Sequence, residues 1–334
     1  MESVRSKAMP ITTIPENFEN RHVFFDSTAH PDYRESLAFL LPLPQHGLGI
    51  IYYTWVHSLG EEGKGRAGSM MVVYGPSVPD PIFEVSDGVF VPDSMTFTDW
   101  EVGSAKMRLD RDMMGGRLQY NANGINLDVE FEGLNAPFGF LANRNGCPGW
   151  LASDRVEQGL KYTGTLNVGS QDILIDDFGH RDHSWGNRDW GGATHWKWWN
   201  IMGPDGIAIH AMELQAFGST TLHGYVQKDG VIGTILSLDS DITFDDRFMQ
   251  TDIKATITDD EGRTTLVHTW QGADLAWPVS EFLTLHEASM FATIDGIEGR
   301  AYMEIAWPPA YADHHRKVGT ALKGSSSGLT INRA

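Results

Sequence analysis

The stretch that decides the fold class is residues 36–74, which read SLAFLLPLPQHGLGIIYYTWVHSLGEEGKGRAGSMMVVY. It contains three runs of apolar, β-branched and aromatic residues, 37–41, 49–56 and 69–74, which prolines and glycines separate. Runs of this length between turn-forming residues are typical of antiparallel strands. The stretch therefore predicts a β-meander.

The same pattern continues along the chain. Leu127, Val129 and Phe131 share one face of a predicted strand, while the acidic residues between them lie on the other. Similar runs follow one another as far as residue 307, and no convincing helix longer than about two turns interrupts them. We therefore expect an all-β protein whose halves each form an antiparallel barrel or half-barrel with a buried pocket.

Glycines and prolines break every period between residues 133 and 155, which predicts a boundary between two halves. The first residues are polar and punctuated by proline, and the last ones are rich in glycine and serine. The predicted organisation is an extended arm (1–35), a first β domain (36–150), a second β domain (151–322) and a flexible tail (323–334).

The charge balance limits the class of partner. The chain has 44 acidic and 25 basic side chains, for a net charge of −19, and its basic residues do not cluster. We therefore expect no nucleic-acid partner. A hydrophobic small molecule is the expected ligand, and the sequence leaves open both the oligomeric state and a peripheral contact with a membrane or another source of lipid.

The single cysteine, Cys147, excludes an intrachain disulfide and a thiolate zinc cluster. No apolar run typical of a signal peptide follows Met1, and no run is long enough for a transmembrane helix. These features favour a protein of the reducing cytoplasm.

Residues 176–192, DDFGHRDHSWGNRDWGG, concentrate titratable and aromatic groups. Five of the eleven tryptophans of the chain lie between residues 185 and 199, so this region differs from a random distribution. If residues 180–185 are extended, His183 and Trp185 lie side by side, and Asp182 points the other way. An imidazole beside an indole can move a proton next to a surface that stabilises a cation. A purely structural role, with Asp182 paired to Arg188, explains the same residues.

The segment 179–190, GHRDHSWGNRDW, resembles the Gly-x-Arg-Asp-His-Ser-Trp-Gly-x-Arg-Asp-Trp signature of bacterial proteins related to carotenoid 1,2-hydratase (hydroxyneurosporene synthase). Those proteins belong to a wider, AttH-type group of two-domain lipocalin-like proteins that includes fungal Diels–Alderase-type cyclases. Weaker resemblance extends to residues 30–36 and 162–166. The resemblance implies two tandem lipocalin-like (calycin) domains, a hydrophobic substrate between or within them, and no organic cofactor.

Hydratases of this kind protonate an isoprenoid double bond and trap the carbocation with water. The resemblance implies that His183 and Trp185 form the active His-x-Trp pair. A Tyr-x-Asp pair of the family has no obvious counterpart, because the comparable strand reads IHAME at residues 209–213. The acid is therefore Asp182 or Glu213. The remaining candidates are the substrate-binding residues Trp190, His195, Trp198, His210, Tyr53 and Trp55, and the motif arginines Arg181 and Arg188.

Three alternatives stand beside this hypothesis. A metal site built from His180, Asp182 and His183 with a later histidine is disfavoured, because His180 and His183 face opposite sides of a strand. A non-catalytic carrier of a lipid-like molecule is the second hypothesis, which the analogy of the fold alone allows. A pericyclic cyclase would need shape and hydrogen bonds but no strong acid. The first expectation is a hydratase, dehydratase, cyclase or isomerase acting on a C=C bond.

Overall fold

The structure is a computed structural model that describes residues 21–24, 33–59, 64–110, 113–189 and 192–318. It is nearly all β, so the predicted fold class is confirmed. Most of the predicted N-terminal arm and the whole predicted tail lie outside the described residues. No helix in the described part of the chain is long and apolar enough to cross a membrane.

The first body is an eleven-stranded antiparallel sheet with the order β4-β3-β2-β1-β11-β10-β8-β7-β6-β5, in which β9 pairs with β10. The sheet curls until β5 reaches β2 and β3, where Trp100 donates to the Thr54 hydroxyl and Ser69 donates to the Val102 carbonyl. It is thus a nearly closed barrel. Its strands are β1 (Arg34–Leu43), β2 (Leu48–His57), β3 (Lys64–Tyr74), β4 (Ile82–Pro92), β5 (Trp100–Val102), β6 (Ala105–Leu109), β7 (Gly115–Ala122), β8 (Ile125–Gly133), β9 (Phe138–Gly139), β10 (Asp154–Val168) and β11 (Gln171–Gly186).

The second body is a closed barrel in which every strand pairs with the next and β12 pairs with β19. Its strands are β12 (Ala193–Met202), β13 (Ala208–Ala216), β14 (Ser219–Lys228), β15 (Val231–Phe244), β16 (Gln250–Asp259), β17 (Thr264–Ser280), β18 (Leu283–Ile294) and β19 (Ile297–Trp307). A tight turn joins β14 to β15: Asp229 and Gly230 have φ angles of 55° and 72°, as a hairpin between right-twisted strands requires.

Helix α1 (Pro309–Val318) follows the barrel and corrects the expectation that no helix exceeds about two turns. Proline at its first position favours helix initiation. The helix lies against the barrel because Ala312 is buried and the Tyr311 ring stacks on Trp307 at 5.0 Å. Two 3₁₀ turns, Pro44–His46 and Phe140–Ala142, complete the described elements.

Residue 150 lies between two strands of the first sheet. Strands β10 and β11 pair with each other, and β11 also pairs with β1, so both belong to the first sheet. The glycines and prolines that interrupt residues 133–155 predict instead that both strands belong to the second half. That stretch instead connects β8 to β10, which are neighbours in the same sheet. The bodies separate after Gly186, and the limits of the domains as folding units stay a prediction.

The two bodies pack face to face, and β1 lies between them. All residues of β1 after Arg34 are buried. A strand with one face in solvent would show buried and exposed residues in alternation, so both faces of β1 are covered. Phe39 and Leu41 belong to the core inside the first sheet, whereas Ala38 and Leu40 belong to a second core shared with the outer face of the closed barrel. This second core is where the candidate site lies.

Candidate active site

A cavity of about 270 Å³ lies in the interface between the first sheet and the closed barrel. Strands β1, β2, β3, β10 and β11 form one wall, and strands β12, β13, β17, β18 and β19 form the other. Its apolar and aromatic lining consists of Ala38, Leu40, Ile51, Met70, Trp196, Trp198, Met212, Trp277 and Leu285. Its polar lining consists of Arg34, Ser36, Tyr53, Arg155, Asp182, Arg188, Glu287, Tyr302 and Glu304.

A buried ion pair joins the motif strand to its neighbour. Arg155 Nη2 lies 2.6 Å from Asp182 Oδ2, and the Ala38 amide donates to Asp182 Oδ1 at 3.1 Å. Burial raises the pKa of Asp182, although the Arg155 charge opposes the change. The Arg155 Cζ atom also lies 4.9 Å from the centre of the Trp198 ring, which is a cation–π contact.

Two further carboxyls meet on the barrel wall of the cavity. Glu287 on β18 and Glu304 on β19 are direct cross-strand partners, and both are at least nine-tenths buried. Tyr302 donates a short hydrogen bond to Glu287, and the Trp196 indole donates one to Glu304. Burial raises the pKa of Glu304 to about 7, and burial together with the Glu304 charge raises that of Glu287 well above its ordinary value. Like charges this close favour one shared proton.

Two arginines and a tyrosine form another part of the lining. Arg34 donates a short hydrogen bond to the Tyr53 hydroxyl and stands over the rings of Tyr53 and Trp55. Arg188 donates to the hydroxyls of Ser36 and Ser184, at 3.1 and 2.8 Å. The pKa of Arg188 is lowered to about 10. Burial is the main cause, the charge of Arg34 acts in the same direction, and the nearby Tyr53 hydroxyl opposes both.

Behind the cavity wall, the interface holds a cluster of two histidines and a glutamate. Glu157 Oε2 lies 2.6 Å from His180 Nε2 and 3.6 Å from His210 Nδ1. Burial lowers the pKa of His180 to about 3 and raises that of Glu157 to about 7. Arg155 Nε donates to Glu157 Oε1 at 2.5 Å, so this cluster is continuous with the Arg155–Asp182 pair.

This cluster corrects the expectation that the histidines do not converge. The donor atoms of Glu157, His180 and His210 lie within 4.8 Å of one another, as do those of His22, Glu35 and His183. Two nitrogens and a carboxylate oxygen can hold a divalent transition metal. The prediction that His180 and His183 face opposite sides is confirmed, because they belong to different clusters. The residues that join His180 in its cluster come from β10 and β13. Their proximity could not be predicted from the spacing of residues within the motif.

Residues 16–309 match a family that is described as a domain of unknown function, DUF7064. The chain belongs to this family. No curated protein matches the chain in sequence.

Several solved structures share the fold of this DUF7064 chain. An AttH-type protein from Nitrosomonas europaea is 14% identical, with a TM-score of 0.58 over 89% of this chain and 99% of its own. Kievitone hydratase from Nectria haematococca is 12% identical, with a TM-score of 0.54 over 82% of this chain and 87% of its own. CghA, also solved with Sch210972, is 14% identical, with a TM-score of 0.59 over 83% of this chain and 88% of its own.

At these identities the likeness concerns the fold. The resemblance to an AttH-type and hydratase-like architecture is therefore confirmed, whereas a specific relation to carotenoid 1,2-hydratase stays a prediction.

In this DUF7064 chain, His183 and Trp185 lie side by side as predicted, with ring centroids 5.2 Å apart. They point away from the cavity, toward the core of the first sheet. His183 Nε2 lies 2.7 Å from Glu35 Oε1, its ring meets Phe97 edge-on, and Trp185 stacks on His22. Arg181 shares this face and donates to Gln158 Oε1. The pair thus secures residues 21–24 to the sheet, since the amides of His22 and Val23 also donate to Glu35.

The other predicted residues divide between the cavity and the barrel interior. Asp182, Arg188, Trp198 and Tyr53 line the cavity, and His210 lies in the adjacent cluster. Glu213 and His195 point into the closed barrel, where Lys197 Nζ lies 2.8 Å from Glu213 and the Ala306 carbonyl lies 2.7 Å from His195 Nδ1. Trp55 packs on Tyr53 beside the cavity, and Trp190 lies outside the described residues.

Sequence reasoning missed Arg155, Glu287 and Glu304. Each is a charged residue inside a strand that is otherwise mostly buried, such as LTLHEASMFATI in β18 and AYMEIAW in β19. A glutamate within an apolar strand was the available signal, because carboxylates are seldom fully buried without a partner or a function.

Proposed function

We propose that this protein is a cofactor-independent enzyme that protonates a C=C bond of an apolar, isoprenoid-like substrate in the cavity between the two bodies. The product is an alcohol if water traps the cation, and a ring or a shifted double bond if the substrate itself does. The observation that carries the proposal is the Glu287–Glu304 carboxyl pair, buried in a wall of tryptophan, leucine and methionine.

The pair suits the role of the acid. A carboxyl whose pKa burial raises to about 7 is partly protonated at neutral pH and can still release its proton to a weak base. The proton moves from a carboxyl oxygen to one alkene carbon, and the π electrons form the new C–H bond. The neighbouring carbon becomes the cation. A water molecule then forms the C–O bond and returns its proton to the carboxylate, so the enzyme is restored and one water is consumed.

The same wall stabilises the cation. The indoles of Trp196 and Trp198 line the cavity, and the deprotonated carboxyl supplies an opposite charge in a medium of low dielectric constant. General acid catalysis contributes about 10²–10⁴-fold, and electrostatic stabilisation in a water-poor site supplies more. Asp182 remains an acid candidate from the sequence; its pairing with Arg155 suits an anion that orients the second proton transfer.

The carrier hypothesis predicts a lining with few ionisable groups, whereas this cavity contains three carboxyls and three arginines. Burying charges is costly unless they serve structure or chemistry, so the lining favours an enzyme. Kievitone hydratase shares the fold, which supports hydration as the first reaction to test. The volume of about 270 Å³ lies near the lower end of ligand pockets and favours a short substrate or one arm of a longer one.

Labelled water tests the proposal. Small molecules that co-purify with the protein are identified by mass spectrometry, and they and an acyclic terpenoid are incubated with it in deuterium oxide and in ¹⁸O-water. We expect deuterium on carbon in the product, with ¹⁸O in the hydroxyl if the reaction is hydration. Deuterium without ¹⁸O would indicate cyclisation or isomerisation. Release of unchanged, unlabelled ligand would contradict the proposal and favour a carrier.

A further inference from the structure

The cavity has a cationic end that the proposed chemistry does not use. Arg34 and Arg188 both line it, together with the Tyr53 and Ser36 hydroxyls. The two guanidiniums are close enough for the charge of Arg34 to act on Arg188. Two like charges gathered in a partly buried place repel each other, and an anion between them would relieve that repulsion.

The compensation of charge differs along the cavity. Arg155 is paired with Asp182 and Glu157, so its charge is balanced within the fold. The described contacts of Arg34 are the Tyr53 hydroxyl and the rings of Tyr53 and Trp55, and no described carboxylate forms an ion pair with it. Its Nε–H group is buried and donates to no partner among the described residues. The charge of Arg34 is thus not balanced by a described carboxylate, although the chain has a net charge of −19 and many acidic residues.

The cationic end and the carboxyl pair lie toward opposite ends of β1. Arg34 begins β1 and pairs with His57 and Gly186. Glu287 lies near Tyr74, on which its charge acts, and Tyr74 pairs with Gly49, which in turn pairs with Pro42 near the end of β1. The lining also contains the indoles of Trp196 and Trp198 and the side chains of Met70 and Leu285. A ligand that contacts both ends must therefore be amphipathic.

We propose that Arg34 and Arg188 bind the anionic head of the substrate and that the substrate class is an alkenyl acid, whose apolar tail reaches the Glu287–Glu304 pair. The inference rests on the proposed function for the role of the tail, but the head site stands on the cationic end alone. Bidentate guanidinium contacts and the Tyr53 hydroxyl suit a planar carboxylate or a phosphate oxygen. Anchoring the head fixes which double bond meets the acid, because position decides reactivity in a bound substrate.

The test compares three probes that share a ten-carbon tail: geranic acid, geranyl phosphate and geraniol. Binding to the full-length protein is measured by isothermal titration calorimetry at pH 8. We expect geranic acid to bind about ten- to a hundredfold more tightly than geraniol, as hydrogen bonds to charged groups predict. Tighter binding of geranyl phosphate than of geranic acid would assign the head site to phosphorylated substrates. Equal binding of the acid and the alcohol, or no binding of either anion, would overturn the inference.

Variants locate the effect. Arg34→Gln and Arg188→Gln should each weaken geranic acid binding more than geraniol binding and so reduce the preference for the acid, and Arg34→Lys should retain part of that preference. Arg117→Gln is the matched control, because Arg117 is exposed on the first sheet and pairs with Asp128. A preference that survives both cavity variants would overturn the assignment to these residues.

Labelled-water turnover separates this inference from the proposed function. A clear preference for the acid without deuterium in any product would retain the head site and refute the chemistry. Deuterium incorporation into geraniol and geranic acid at equal rates, with equal affinity, would retain the chemistry and refute the head site.

Discussion

Strand β11 has two faces that are equally buried and serve different purposes. One face carries His180, Asp182 and Ser184 and packs against the closed barrel. The other face carries Arg181, His183 and Trp185 and packs against the core of the first sheet. Both faces carry histidine and charge, so composition does not distinguish them. The first face borders the cavity between the two bodies.

The difference has a packing cause. The interior of a curled sheet is filled by its own side chains, here by Phe39, Phe97 and Phe131 around the Arg181–His183 face. Two curved bodies that meet face to face fit together less completely, and the remaining volume is available to a ligand. In this protein, a buried polar group thus points to function when it lies between the bodies, and to structure when it lies within one.

The comparison predicts its largest effect at the carboxyl pair. Glu287→Gln and Glu304→Gln should each lower kcat by about 10²–10⁴-fold, because an amide cannot supply the proton. Glu213→Gln is the matched control: that glutamate is as deeply buried inside the barrel against Lys197, and its loss should lower stability while kcat of the folded protein is retained. Steady-state turnover and urea unfolding measure both. An equal loss of kcat in the control would move the site into the barrel.

Two adjacent residues of β1 sharpen the comparison. Phe39→Ala should cost about 3–5 kcal/mol of unfolding free energy, because the ring is fully buried inside the first sheet against Phe131. Leu40→Ala should cost roughly 2 kcal/mol, since its side chain already borders the cavity. The second variant should also accept a longer ligand. Urea titration measures the stabilities, and equal costs without a change in ligand length would contradict the distinction.

His183→Ala tests the role that the motif suggests. Loss of the imidazole removes a side-chain partner of the buried Glu35 carboxylate, which keeps its two backbone donors, so the cost should be about 1–3 kcal/mol of stability. Since the ring faces the first sheet, we expect kcat of the folded variant to be preserved. A loss of 10²-fold or more, with stability intact, would instead support a catalytic role for the His-x-Trp pair.

The last predicted effect is a pH dependence, which is small for a change of one pH unit. The pKa of Glu304 is about 7 in the folded protein, raised by burial from its ordinary value of 4.5, so the folded state binds this proton more tightly than the unfolded state. The contribution to stability is present below pH 4.5 and is lost as the pH rises through 7, at up to about 1.4 kcal/mol per pH unit. kcat should fall over the same upper range. Glu304→Gln should flatten the stability profile between pH 4.5 and 7, as measured by urea unfolding at each pH; an unchanged profile would contradict the assignment.

Much of the local structure could be predicted from the sequence. The alternation of Leu127, Val129 and Phe131 fixed their burial on one face, and Asp229-Gly230 fixed a tight turn. The extended motif placed His183 beside Trp185 and opposite Asp182. These features depend on backbone geometry within a few residues, where a period of two decides which face a side chain takes.

Only the tertiary structure decided which face of β11 packs against the closed barrel and which other residues complete the site. Pairing of β1 with β11 joins Glu35 to His183 across 148 positions, and packing of the barrel brings Glu287 and Glu304 to the face that carries Asp182. A strand has the same alternation whichever body covers it, so no local pattern reports its neighbour. The sequence by itself determined an all-β chain with a charged, aromatic strand; the packing of two curved sheets decided where that strand could hold a ligand.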